Sequence, residues 1–83
     1  MKEIMVGFIE NGELTKFETK SPPFDASTKN GQNYTRDILL ELYDMMIFDN
    51  IEKIDSIEFE CPENKKIRVK VLLEKNIIKV YLK

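Results

Sequence analysis

The sequence contains no histidine and a single cysteine, and each shortage excludes some chemistry. Histidine is the commonest general base and metal ligand, so neither role has its usual residue here. One cysteine cannot form an internal disulfide, which fits a reducing compartment and leaves the fold to side-chain packing. Because Cys61 shares the alternation of Ile57 and Phe59, we expect it in the core and not as a nucleophile.

Long apolar runs are also missing. The run at residues 4–9 is too short for the core of a signal peptide, and a turn with charged residues follows it. No run approaches the roughly 20 apolar residues that span a bilayer. We therefore expect a cytoplasmic protein that does not associate with membranes.

No motif in the sequence indicates catalysis. It has no nucleotide-binding loop, no metal-ligand cluster and no carboxylate pair that a cleft would hold. A calcium loop starting at Asp25 fails, because the other oxygen ligands and the final glutamate are missing from the spacing. We expect no enzyme activity, no cofactor and no metal site. The stretch with Thr28 and Lys29 leaves two interpretations open: an anion site at the amides of residues 31–33, or a connecting loop.

The 83 residues suit one domain, residues 1–83, with one modest core. Their net charge of −2 conceals an asymmetry along the chain. Residues 21–64 carry ten acids and three bases, whereas residues 65–83 carry seven bases and one acid. Such an asymmetry bears on partners and association rates, not on the fold.

One segment, residues 33–49, has the pattern of a helix. Asn33 suits the N-cap, and Asn50 suits the left-handed position just after the helix. At about 100° per residue, one broad apolar arc should pack on a sheet. Its members are Tyr34, Ile38, Leu39, Leu42, Met45 and Met46.

A second apolar stripe consists of Leu40, Tyr43 and Ile47, with Phe48 nearby, and lies roughly half a turn from the first arc. A helix that packs on one sheet needs only the first arc. Either the preceding loop covers this stripe, with Phe24 as a plug, or the stripe binds a partner. In the second case, the stripe and its acidic neighbours form a partner-binding surface of Asp37, Leu40, Glu41, Tyr43, Asp44, Ile47 and Phe48.

Alternating apolar residues on either side of the helix predict strands. A hairpin at 2–20 turns at Asn11-Gly12, a loop covers 21–32, and a three-stranded meander covers 54–83 with a tight turn at Lys75-Asn76. The expected pairs are Glu10–Glu13, Phe8–Thr15, Val6–Phe17 and Ile4–Thr19 in the hairpin, then Leu73–Ile78, Val71–Val80 and Val69–Leu82 in the meander.

The predicted fold is α+β, in the order ββαβββ, with one helix packed on one face of a largely antiparallel five-stranded sheet. Two strand orders stay open. The hairpin and meander join either edge to edge or through a central parallel pair. Across the meander, Glu58 and Glu60 should lie opposite or diagonal to Arg68 and Lys70.

These features favour a small non-enzymatic protein-binding module of the inhibitor, immunity or adaptor kind. Its acidic helix surface would bind a partner with a basic site. The size and composition are typical of phage and mobile-element products. A homodimer stays open too, through the helix or through the last strand if that strand lies at the sheet edge.

The alternative function is nucleic-acid binding by the basic last strands. Lysines beside a stacking ring suit that ligand, although Glu18, Glu58 and Glu60 should share the same face. The residues of this alternative site are Arg68, Lys70, Lys79, Tyr81 and Lys83.

Overall fold

The structure is a computed structural model that describes residues 2–20, 29–61 and 65–83, and the side chains of 29–31, 61 and 65 fall outside its description. The predicted α+β fold is confirmed, because one helix packs on a five-stranded antiparallel sheet. The elements are β1 (Lys2–Glu10), β2 (Glu13–Thr19), α1 (Lys29–Asp49), β3 (Lys53–Cys61), β4 (Lys65–Glu74) and β5 (Ile77–Leu82).

The strand order is β2-β1-β5-β4-β3, and every neighbouring pair is antiparallel. The hairpin and the meander therefore join edge to edge through β1 and β5, and the alternative of a central parallel pair is wrong. The premise that the last strand lies at an edge is also wrong, because β5 pairs on both sides. A homodimer through a free edge of β5 is thereby excluded.

Both predicted tight turns are confirmed by their backbone angles. Asn11 and Gly12 have φ of 53° and 80°, and Lys75 and Asn76 have φ of 48° and 68°. Two successive positive φ values are typical of a type I′ turn, which matches the twist of the flanking strands. The three predicted pairs between β4 and β5 are present as well.

The register of the first hairpin departs from the prediction beyond its turn. Glu10 lies opposite Glu13 as expected, but a bulge follows, and Phe8 lies opposite Lys16 instead of Thr15. The Thr15 hydroxyl donates to the carbonyl of Phe8 over 3.3 Å. An extra residue in one strand shifts all later pairs by one, so the predicted partners of Phe8, Val6 and Ile4 are wrong.

Gly7 identifies the face of β1 that the helix covers. A Cβ at Gly7 would lie 2.7 Å from Leu14 Cδ1 and 3.3 Å from Leu39 Cδ1, so this position faces α1. Because side chains alternate along a strand, Val6 and Phe8 lie on the opposite, open face of the sheet. A second bulge, between Glu3 and Met5 in the pairing with β5, interrupts the alternation at Ile4.

The core lies between α1 and the covered face of the sheet. Four of the six predicted helix residues are buried, whereas Tyr34 and Met45 are half-buried. Thr35 is fully buried, and its hydroxyl oxygen lies 2.8 Å from that of Thr19. The core cluster is Ile4, Met5, Ile38, Leu39, Leu42, Met46, Val69, Val71, Ile78 and Val80.

The helix begins earlier than predicted and ends where predicted. It starts at Lys29, so Asn33 lies within it, and both the N-cap at Asn33 and the loop boundary at 32 are wrong. Residues 29–32 are polar or glycine and show no apolar periodicity, so the sequence pattern did not reveal this first turn. At the other end Asn50 has φ of 54°, which confirms the left-handed cap.

Three predictions concern residues or side chains outside the described part of the chain. These are the plug formed by Phe24, the anion site with Thr28 and Lys29, and the burial of the Cys61 side chain.

Candidate functional site

The helix ends in apolar side chains that remain exposed. Phe48 is 89% exposed, Ile47 56% and Ile51 37%. We call these three residues the helix-end cluster. The amide of Asn50 donates to the carbonyl of Ile47 over 3.2 Å, and that of Ile51 to the carbonyl of Met46 over 3.0 Å. This pair of bonds forms a Schellman motif, which turns the chain back and brings Ile51 beside the last helical turn.

The predicted second stripe is not uniform. Leu40 and Tyr43 are half-buried, and Tyr43 packs against the core cluster. Ile47 and Phe48 are exposed, and Ile51, which helical spacing did not identify, extends their surface. The exposed apolar area is thus concentrated at the carboxyl end of α1.

Acidic side chains form a row along the side of α1 that leads to Phe48, and Asp49 follows it. Asp37, Glu41, Asp44 and Asp49 are all exposed. The one base among residues 32–50 is Arg36, whose Nε lies 3.7 Å from Asp37 Oδ1. Within the described residues the other three helix acids form no ion pair, so this surface has a negative potential.

An open depression of about 410 Å³ adjoins the helix-end cluster. It lies between the end of α1 and the turn that joins β4 to β5. Four apolar and four polar residues line it, a mixture that could accommodate a side chain of a partner. The lining residues are Met46, Ile47, Asn50, Ile51, Glu52, Leu73, Lys75 and Asn76.

The five residues of the alternative nucleic-acid site lie on or beside the open face of the sheet. Lys70 lies opposite Tyr81, and Lys79 lies opposite Leu72. Lys83 follows the end of β5, and its Nζ donates to the carbonyl of Asp55 over 3.1 Å.

The predicted cross-strand ion pairs are present in part. Glu58 lies opposite Arg68, with 3.1 Å between Arg68 Nη2 and Glu58 Oε2. Glu60 lies opposite Lys66 and diagonal to Arg68, and Glu58 is diagonal to Lys70, so the predicted positions of the two glutamates are confirmed. Among the described residues, however, no ion pair joins either glutamate to Lys70. A bulge in β3 between Ile54 and Ile57 leaves two residues, Asp55 and Ser56, across from Lys70. Asp55 forms its ion pair with Lys53 instead, at 3.1 Å.

The sequence prediction missed three apolar residues on this face. The bulges place Val6 and Phe8 there, and the β4 register adds Leu72. With Ile77 and Tyr81 they form an apolar strip across β1, β5 and β4. The only sequence signal for this strip is that β1 has apolar residues on both of its faces.

Among the described residues there is neither a metal-ligand group nor a membrane-spanning helix. No group of three or more carboxylate or thiolate residues is placed there to hold a metal ion. In the same residues, the helix is not long and apolar enough to cross a membrane. No family model, curated protein or solved structure matches the chain.

Proposed function

We propose that this protein is a small non-enzymatic binding module that docks onto a basic site of another protein through the carboxyl end of α1. The observation that supports this best is Phe48, a large aromatic side chain that is 89% exposed. Ile47 and Ile51 extend the apolar surface beside it, and clustered exposed apolar groups are typical of interaction sites.

Burial of the helix-end cluster would supply a substantial part of the binding energy. Fully burying one large apolar side chain contributes about 1.5–3 kcal/mol, or roughly 10- to 100-fold in affinity. Aromatic anchors at the centre of an interface commonly dominate binding. Phe48 suits this role, because its ring is exposed and its neighbour Ile47 lines a depression that could receive a side chain in return.

The acids of α1 favour a basic partner. Glu41, Asp44 and Asp49 have no ion pair among the described residues, so their charge is available to a cationic surface. Opposite charges accelerate the association of two proteins and disfavour the binding of other, acidic proteins at the same surface. Basic protein sites often bind nucleic acid, and an acidic module that occupies one acts as an inhibitor. The inhibitor, immunity or adaptor role, and a phage or mobile-element origin, belong to this proposal.

The test compares Phe48→Ser with Glu13→Ser, a control change in the exposed first residue of β2. Both variants should keep the melting temperature of the wild type, because both side chains are exposed. In a quantitative pull-down from the source cell, wild type and Glu13→Ser should retain a basic protein that Phe48→Ser does not. Titration with the purified partner should show at least a tenfold loss of affinity for Phe48→Ser.

Two results would contradict the proposal. One is a partner that Phe48→Ser retains as well as wild type does, and the other is recovery of nucleic acid without protein. Light scattering over a concentration range distinguishes a third arrangement. A doubling of mass that Phe48→Ser abolishes would make a second copy the partner and would exclude the basic partner from this surface.

A further inference from the structure

Two aromatic rings lie on neighbouring central strands of the sheet, on the face that the helix does not cover. Phe8 belongs to β1 and alternates with Gly7, which faces α1. Tyr81 belongs to β5 and alternates with Val80, which is fully buried in the core. Both rings are half-buried, so each is held by its neighbours and still has surface in contact with solvent.

The register gives the spacing of the rings. Phe8 lies opposite Ile77, and Tyr81 lies four residues further along β5. At about 3.3 Å per residue, this places the rings roughly 13 Å apart along the strand. Lys79 lies between them on the same face, opposite Val6. Along the direction of the strands, the face therefore presents the ring of Phe8, then Lys79, then the ring of Tyr81.

Between and beside the rings the open face is apolar. Val6 is 4% exposed, although it lies on the face that α1 does not cover. Leu72 and Ile77 are half-buried beside it. The aliphatic stems of long charged side chains cover apolar surface in this way and can move aside when a ligand binds.

Three lysines on this face keep their charge unpaired. Lys16 Nζ lies 5.8 Å from the centre of the Phe8 ring, and Lys70 lies opposite Tyr81. Within the described residues, Lys16, Lys70 and Lys79 have no carboxylate within 4 Å. An ammonium above a ring is weakly held and is free to bind a phosphate instead.

Two of the nearby acids already have bases as partners. Glu3 Oε1 lies 2.6 Å from Lys20 Nζ, and Glu58 contacts Arg68 and, at 3.9 Å, Lys66. Three further acids on this face, Glu10, Glu18 and Glu74, have no base within 4 Å among the described residues. They equal the three unpaired lysines in number, so the phosphate contacts depend on the positions of those lysines beside the rings and not on a net positive charge of the face.

We infer that the open face of the sheet is a binding site for single-stranded nucleic acid. Phe8 and Tyr81 stack on unpaired bases, the apolar strip receives the sugar and base edges between them, and Lys16, Lys70 and Lys79 contact phosphates. Single strands are bound by this combination of aromatic platforms and cations. An acidic peptide would use the lysines without needing the rings, and a duplex would offer no unpaired base. The site is separate from the helix-end cluster.

The experiment measures fluorescence anisotropy of a labelled single-stranded oligonucleotide about 12 nucleotides long, at low salt. Phe8→Leu and Tyr81→Leu keep apolar bulk but remove the ring. Each should weaken binding about fivefold or more, since stacking on one base is worth at least that factor. Lys70→Gln with Lys79→Gln should reduce the slope of log affinity against log salt by about 1–2.

The controls separate this site from the helix surface and from general attraction. Lys75→Gln, in the β4–β5 turn, and Phe48→Ser, on the helix, should both bind the oligonucleotide as wild type does. Circular dichroism melting verifies that each variant is folded. A duplex of the same sequence and a polyglutamate peptide should bind at least tenfold more weakly than the single strand.

Several outcomes would overturn the inference. Wild-type protein that fails to bind the single strand at low salt excludes the site. Binding that folded ring variants leave unchanged, or equal affinity for polyglutamate or the duplex, would show a general polyanion surface without base stacking. Failure of Phe48→Ser to lose its protein partner would affect the proposed function alone, because that variant leaves the sheet intact.

Discussion

The hydroxyl oxygens of Thr19 and Thr35 lie 2.8 Å apart, and their hydrogen bond connects the edge strand β2 to the helix α1. Thr35 is fully buried on the covered side of α1, where the neighbouring arc is apolar. A polar group in such surroundings needs a hydrogen-bond partner. The bond therefore fixes the position of α1 over β2.

Thr35→Val should lower the free energy of unfolding by about 1 kcal/mol, because it removes the hydrogen bond but keeps the volume of the side chain. Urea denaturation of Thr35→Val, Thr19→Val and the double variant measures the coupling. The double variant should lose less than the sum of the two single variants. Strict additivity would show that the two hydroxyls do not stabilise the fold through each other.

Gly7→Ala should destabilise the protein by about 1–3 kcal/mol through overpacking. The new Cβ would lie 2.7 Å from Leu14 Cδ1 and 3.0 Å from Ile78 Cγ2, so these two packed side chains would have to shift. Leu14→Val removes the nearest of these atoms. Thermal melting should therefore show that Gly7→Ala costs less in a Leu14→Val background, and an equal cost in both backgrounds would contradict the close contact.

Leu42→Ala should lower the free energy of unfolding by about 2–5 kcal/mol, because Leu42 is fully buried between the helix and the sheet. Phe48→Ala is the matched control on the same helix and should change it by about 0.5 kcal/mol or less. Chemical denaturation of both variants compares the core side with the exposed end. A comparable loss for Phe48→Ala would mean that Phe48 is packed and would remove the basis for a docking role.

The ion pair of Lys20 with Glu3 should stabilise the fold at neutral pH and lose its effect in alkali. The hydrogen bond to Glu3 and the charge of Glu3 raise the pKa of Lys20 above its ordinary 10.5. A raised pKa means that the folded state favours the protonated amine, so this stabilisation is complete below pH 10.5 and disappears as the pH rises through the raised pKa.

Lys20→Gln should accordingly have a lower melting temperature than wild type at pH 7. This difference in melting temperature should shrink at strongly alkaline pH. Lys75→Gln serves as the comparison, because Lys75 has no ion pair within the described residues. Its difference from wild type should stay nearly constant over the same pH range. A Lys20→Gln difference that also stays constant would show that the ion pair is not stabilising.

Local chemistry explains which parts of the fold could be predicted. Asn11-Gly12, Asn50 and Lys75-Asn76 adopt left-handed backbone angles, for which asparagine and glycine have a local preference. The pairing of β4 with β5 follows from strict alternation with one apolar face. These features depend on a few neighbouring residues, and a short stretch of sequence contains the information.

The errors arose where sequence offers no local signal. β1 is apolar on both faces, so a one-residue slip at Thr15 exchanges one set of apolar residues for another. The face of Phe8 was therefore not predictable. Strand order depends on contacts between distant segments, which periodicity does not report.

The candidate site was predictable to a similar extent. Helical spacing identified Ile47 and Phe48, whereas Ile51 joins them through a chain reversal after the helix. The half-burial of Leu40 and Tyr43 depends on what packs beside them. An arc on a helical wheel does not contain that information.

The position of β5 between β1 and β4 also determines the order in which the chain can fold. The β1–β2 hairpin and the β3–β4–β5 meander consist of contacts close in sequence, which form quickly. Gly7 opposite Ile78, in contrast, requires closure of a loop that includes β2, α1, β3 and β4. The entropy of that closure must be overcome before the core contacts compensate for it. The pairing of β1 with β5 is therefore the slow event, and substitutions that weaken it should decrease the refolding rate more than those in either turn.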